Sequence, residues 1–153
     1  MKEQFQFYVD IALGCIASDG EIDKVEVDCL KSIWIQRGQA ADDFKQAYEA
    51  SQKSFDKDAS SFVDSFVPEL REMQGNLKEQ VALLEVLIEL IVSDGIIQNG
   101  ELDYLRFIMQ LGGWDMSKIV QERPEWRPYI QQGFETNLEL RSKVIDRILA
   151  GIS

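Results

Sequence analysis

One acidic segment occurs twice in the 153-residue chain, and this repeat limits the architectures open to it. Residues 18–30 read SDGEIDKVEVDCL and residues 93–105 read SDGIIQNGELDYL; Asp94 repeats Asp19 at an offset of 75 (94 − 19). Ser, Asp, Gly, Ile, Glu, Asp and Leu stay in step. The match extends outward through apolar positions: Ile11, Leu13, Ile16, Leu30 and Ile33 fall on Val86, Ile88, Ile91, Leu105 and Ile108. Each copy therefore reads as helix, loop, helix, over about 5–37 and 77–112. Two copies at this period are too few and too far apart for a solenoid, which stacks three or more units of roughly 20 to 50 residues. The expectation is one domain, 1–153, with internal pseudo-twofold symmetry.

The apolar period is helical almost throughout, and three prolines are all that interrupt it. The expected class is all-α, a single compact bundle of seven or eight helices. Phe5, Val9, Ala12, Leu13 and Ile16 form the stripe of a first helix that ends before Ser18-Asp19-Gly20, where Gly20 supplies the positive φ expected after a helix end. A second helix starts at Asp23, with Glu26 three residues on in a capping-box pattern, and buries Val27, Leu30, Ile33 and Trp34 up to Gly38. Segments 40–53 and 56–74 connect the halves, the latter bent or restarted at Pro68. Residues 77–93 are the most apolar helix and are expected at the centre of the core. A helix with Leu102, Leu105, Ile108 and Met109 stops at Gly112-Gly113. Asp115 caps a short helix through Val120, Pro124 and Pro128 break 123–133, and a last helix covers about 135–150.

Composition removes several classes of function. A net charge of −11 argues against nucleic acid and anionic membranes, since phosphate recognition depends on Lys and Arg. Cations and basic protein surfaces are the natural electrostatic partners; the oligomeric state is not encoded in any readable feature. Histidine is absent, which removes the commonest general base and the commonest zinc ligand. Ser18 and Ser93 consequently have no histidine to activate them. Cys15 and Cys29 lie among apolar neighbours at helical spacing and read as buried thiols. No signal peptide and no apolar run of ~18 residues is present, so the expected compartment is the cytoplasm.

The candidate site is the set of carboxylates Asp19, Asp23, Glu26, Asp94 and Glu101. Glu26 and Glu101 each have a capping role open to them. Asp19 and Asp94 stand near helix C-termini, where a negative charge costs ~0.3 to 1 kcal/mol. They need compensation from the amides of the following helix or from a cation, and both readings stay open. An all-oxygen donor set favours Ca²⁺, Mg²⁺ or Mn²⁺. Asp28 and Asp103, two residues past each Glu, are expected on the solvated surface. Trp34, Trp114 and Trp126 read as core aromatics, and Arg123 with Arg127 forms a small exposed contact patch.

Loop positions one and three, which must supply oxygen ligands in an EF-hand, are Cys15 and Ala17 in one copy and Leu90 and Val92 in the other, which argues against an ordinary EF-hand. The chain instead resembles the TerB-like family, which includes tellurite-resistance TerB and a domain of a DnaJ-type co-chaperone. The resemblance rests on Ala17-Ser18-Asp19-Gly20-Glu21-Ile22 with Glu26, and on Leu87 through Asp94-Gly95, Ile97, Glu101 and Leu105, together spanning about residues 5–113. Ile96, Gln98, Asn99 and Gly100 depart from the acidic, helix-forming residues typical of the second loop, and 120–134 follow no family pattern. What the resemblance implies is a non-enzymatic, acidic helical interaction module associated with stress and tellurite resistance, with metal binding as an expectation. A carboxylate-based metal-dependent hydrolase and a metal-free structural adaptor are the alternatives.

Overall fold

The structure, a computed structural model, describes residues 4–17, 24–38, 40–93 and 99–130. Its elements are α1 (Gln4–Ala17), α2 (Lys24–Gln36), α3 (Ala41–Lys57), α4 (Ala59–Asp64), α5 (Val67–Glu72), α6 (Leu77–Val92), α7 (Asn99–Gly112) and α8 (Met116–Glu122), then a 3-10 turn at Pro124–Trp126 and α9 (Arg127–Ile130). No strand occurs among the described residues, and these helices pack into one compact all-α bundle. None of them is long and apolar enough to cross a membrane. The helix expected over 135–150 lies outside the described residues.

Two clusters of buried side chains make the core, and α1 and α6 contribute to both from opposite sides. Val9, Ala12 and Ile16 of α1 join Leu30, Ile33 and Trp34 of α2, Phe44 and Ala47 of α3, and Val86 and Leu90 of α6. The larger cluster takes Phe7, Ile11, Leu13 and Cys15 from α1 and Leu83, Leu84, Leu87 and Ile91 from α6. It adds the connecting helices, α7, α8 and the segment through Ile130. The central position expected for 77–93 is thus observed. For α1 the expected single stripe is too narrow, because every residue from Val9 to Ala17 is buried. A helix with neighbours on several sides needs apolar residues all round, and α1 packs on α2, α3, α6 and α7.

Local chemistry explains the breaks. Segment 56–74 forms no single helix: the Asp58 side chain accepts from Ser61 N at 3.1 Å and caps α4, and Pro68 sits in the first turn of α5. That bond, with a second from the Ser61 hydroxyl at 3.0 Å, holds the Asp58 carboxyl below the usual carboxylate range. Asn76 caps α6 through Glu79 N at 3.2 Å, and Asp115 caps α8 as expected, accepting from Ser117 N at 2.9 Å. α7 ends at Gly112, and Gly113 adopts φ +68°, a conformation glycine reaches without Cβ strain. The chain then turns so that Trp114 Nε1 donates to Leu70 O at 2.8 Å, tying this turn to α5. Trp34, Trp114 and Trp126 are all buried, as expected of core aromatics.

α1 carries one glycine in its interior, Gly14, and Tyr104 of α7 fills the space it leaves. A Cβ at position 14 would lie 2.9 Å from Tyr104 Cζ and nearer still to its hydroxyl. Tyr104 is fully buried and has no room to withdraw. Alanine would improve helix propensity by ~1 kcal/mol, yet overpacking of this kind costs typically ~1–3 kcal/mol. Gly14→Ala is therefore expected to lower the urea midpoint. Adding Tyr104→Phe, which deletes the nearest atom, is expected to recover part of the loss.

Candidate functional site

Glu26 and Glu101 are the part of the acidic constellation that the described residues contain; Asp19, Asp23 and Asp94 lie outside them. Glu26 stands in the first turn of α2 and Glu101 in the first turn of α7. Despite their charge they are 2% and 1% exposed, and they are the two buried glutamates among the described residues. Burying a carboxylate is costly unless hydrogen bonds or a cation offset the loss of water. The first turn of a helix supplies part of that offset, through its exposed amides and the positive end of its dipole. Both glutamates therefore sit where a helix start can support a negative charge in a dry environment.

α2 and α7 are held in place by a crossed arrangement. α1 packs on α7 as well as on α2, and α6 packs on α2 as well as on α7. Tyr104, three residues after Glu101, donates its hydroxyl to Ile11 O of α1 at 2.7 Å. Ser93 closes α6, its Oγ donating to Leu90 O at 2.7 Å.

Tyr104 carries a pH consequence. Burial first, then the nearby Cys15 and Asp10, push its hydroxyl well above the ordinary value of 10.0. The neutral form is the one the fold holds, so its contribution is fully present below pH 10.0 and is lost as pH rises from there toward the folded-state value. Stability is expected to fall above pH ~10. The alkaline slope of a pH series of urea unfolding curves is expected to be shallower in Tyr104→Phe.

Register does not guarantee the same surroundings. Asp28 is exposed, as expected, but Asp103 is buried at 5% exposure and paired with Arg106, itself 8% exposed. The expectation of a solvated Asp103 is corrected. From Glu101 to Met109 every residue of α7 is buried, whereas α2 keeps an exposed side with Val25, Asp28 and Ile35.

Both cysteines are free thiols; Cys15 is buried and Cys29 half-buried. Burial, together with Glu89 and Glu26, raises the Cys29 thiol above its ordinary value against a lowering contribution from Ser93. The thiolate that acts as nucleophile or soft-metal ligand is disfavoured there. Arg123 is less available than an exposed patch requires: it pairs with Glu85, lies 3.8 Å from Glu125, and sits over the Trp126 ring at 5.4 Å. Arg127 is exposed.

Grooves on the described surface include two of ligand size. One of about 590 Å³ runs between α6 and α8, lined by Leu77, Val81, Ala82 and Arg123 among others. The other, of about 430 Å³, lies at the turns around Gly75 and Gly113. Neither is lined by Glu26 or Glu101. Among the described residues no group of three or more Cys, Asp or Glu side chains gathers in a metal-holding arrangement.

Sequence reasoning passed over Gly14, Tyr104 and Asp10. Asp10 is buried and accepts from Ser51 and from Gln6 Nε2, the latter at 3.0 Å, while Gln6 Nε2 also reaches Ala47 O at 3.0 Å. These bonds join α1 to α3. A glycine inside an apolar helical run marks close packing and was the available signal for the Tyr104 contact. No family model, curated protein or solved structure matches this chain.

Proposed function

We propose that the chain is a non-enzymatic, all-helical module of TerB-like type that binds a divalent cation at its twinned acidic loops. Asp19, Asp23 and Glu26 would supply oxygen donors in the first half, and Asp94 and Glu101 in the second. The observation that carries this reading is the matched burial of Glu26 and Glu101, each in the first turn of the helix that follows a repeated Asp-Gly. Surface glutamates used only as caps have no need of a dry setting. Two buried carboxylates, each seven residues after an Asp, fit a hard cation that is held by oxygen alone. The bound ion would supply positive charge that ties loop to helix and fixes the surface around it.

The reading places the chain in the cytoplasm, docking partner proteins in stress or tellurite-resistance processes, with no nucleic-acid ligand. Calorimetric titration of metal-stripped protein with Ca²⁺, Mg²⁺ and Mn²⁺ tests it. Saturable binding of at least one ion, abolished by Glu26→Gln combined with Glu101→Gln in a variant that still folds, is the expected result. Heat indistinguishable from dilution with all three ions would leave the glutamates as helix caps and remove the proposal.

A further inference from the structure

α6 and α8 lie side by side in the same sense. Asp115 and Lys118, where α8 begins, share the smaller groove with Leu77 and Gln80, and Arg123, where α8 stops, bonds Glu85 further along α6. Leu77 lines the larger groove as well, so the two adjoin in one trough. Leu77, Val81 and Ala82 give it an apolar floor, and Ala82 is exposed, its small side chain leaving the trough open. From Leu77 to Glu85 the trough follows eight residues of α6 (85 − 77), about 12 Å at the helical rise. Charge is placed unevenly along it. Lys78 and Lys118 stand where the two helices begin, and Glu85 and Glu122 stand where α8 stops. Asp115 at the first end accepts from the amides of Ser117 and Lys118, and Arg123 at the second is drawn to Glu85 and Glu125. The lining is therefore net basic at one end and net acidic at the other, in a chain whose overall charge is −11. An amphipathic helix anchored at i, i+4 and i+7 spans about 10 Å, which fits this length. A ligand of one sign, such as a fatty acid, complements only one end. We propose that the α6–α8 trough docks an amphipathic helix of a partner protein, with its acidic end on Lys78 and Lys118 and its basic end on Glu85 and Glu122. The proposal deepens the interaction-module reading and rests on it for a partner. It does not depend on the cation, because neither groove is lined by Glu26 or Glu101.

The probe is a phage-displayed library of helical peptides about four turns long, with leucine fixed at i, i+4 and i+7 and the flanking positions randomised among Asp, Glu, Lys, Arg, Ser and Gln. It is selected on the parent, with Ala82→Trp as the counter-target; position 82 is exposed, so tryptophan there fills the trough from outside the core. Peptides with acids toward one end and bases toward the other are expected to be enriched. The strongest of them, made synthetically, is expected to bind Ala82→Trp at least about tenfold more weakly than the parent, the scale of a blocked anchor pocket. Lys78→Glu with Lys118→Glu is expected to weaken it about tenfold too, and replacing the peptide's acids by lysine is expected to restore binding to that variant. No enrichment over the counter-target, enrichment without charge order, or a loss that the lysine peptide does not restore overturns the proposal. Should Ala82→Trp fail to fold, the lysine reversal and its recovery decide alone. Sedimentation of the parent over a range of concentrations detects the other occupant: self-association abolished by Ala82→Trp would seat a second copy in the trough and overturn its assignment to a partner protein. The ion titration of the parent keeps the two levels apart. A parent that binds no ion but selects charge-ordered peptides loses the cation role and keeps the trough, whereas one that binds an ion and selects no peptide loses the trough alone.

Discussion

Asp103→Ala is expected to destabilise the protein by about 3–5 kcal/mol, the cost of breaking a buried ion pair by removing one partner. Arg106 follows Asp103 by three residues on α7, and both are below a tenth exposed, so the guanidinium loses a carboxylate partner in a setting shielded from water. Replacing both members, as Asp103→Leu with Arg106→Met, is expected to recover most of the loss, since an apolar pair of similar volume is often as stable as a buried ion pair. Urea unfolding of the single and double variants checks this. A loss under about 1 kcal/mol for Asp103→Ala would place the pair with surface ion pairs.

Phe66→Ala is expected to cost a similar amount, about 3–5 kcal/mol. Phe66 is fully buried in the turn between α4 and α5, and its ring makes edge contacts with Phe62 at 5.1 Å and with Phe7 of α1 at 6.5 Å. Phe62 in turn meets Phe55 of α3 at 5.7 Å, while Phe7 leads through Tyr8 to Trp34 of α2. A continuous run of rings therefore joins the larger cluster to the smaller one, with Phe66 near its middle. Deleting that ring leaves a cavity bounded by residues anchored in different helices, which limits collapse. Thermal unfolding followed by circular dichroism is expected to show a large fall in Tm. A loss close to that of Phe66→Leu would mean that the site closes up around the smaller side chain.

The helical class and most helix ends were legible in the sequence because they depend on local chemistry. Pro68, Gly112-Gly113 and Asp115 each act through their own backbone or side chain, and each marks a boundary in the structure. Asp58 acts in the same way, but an aspartate within an acidic, serine-rich stretch has no feature that separates a cap from a surface charge. The environment of Asp103 was illegible for another reason. Its counterpart Asp28 is exposed, and position in a repeat fixes spacing along the helix, not what packs against it. The width of the buried face of α1 depends likewise on how many neighbours the fold places around it. Of the acidic constellation, the repeat marked Glu26 and Glu101 by residue type and spacing. Their burial, and the reach of Tyr104 into the opposite half, depend on long-range packing that no local pattern encodes.

Thermal unfolding of metal-stripped protein, with Ca²⁺, Mg²⁺, Mn²⁺ or Zn²⁺ added separately, tests the cation-binding role most directly when run beside an Asp19→Asn plus Asp94→Asn variant. An ion present at about 100 times its Kd adds about 2.7 kcal/mol of stability. The expected result is a rise in Tm with at least one of Ca²⁺, Mg²⁺ and Mn²⁺ that the variant does not share. An unchanged Tm with every ion, or an equal rise in the parent and the variant, would contradict cation binding at the twinned loops.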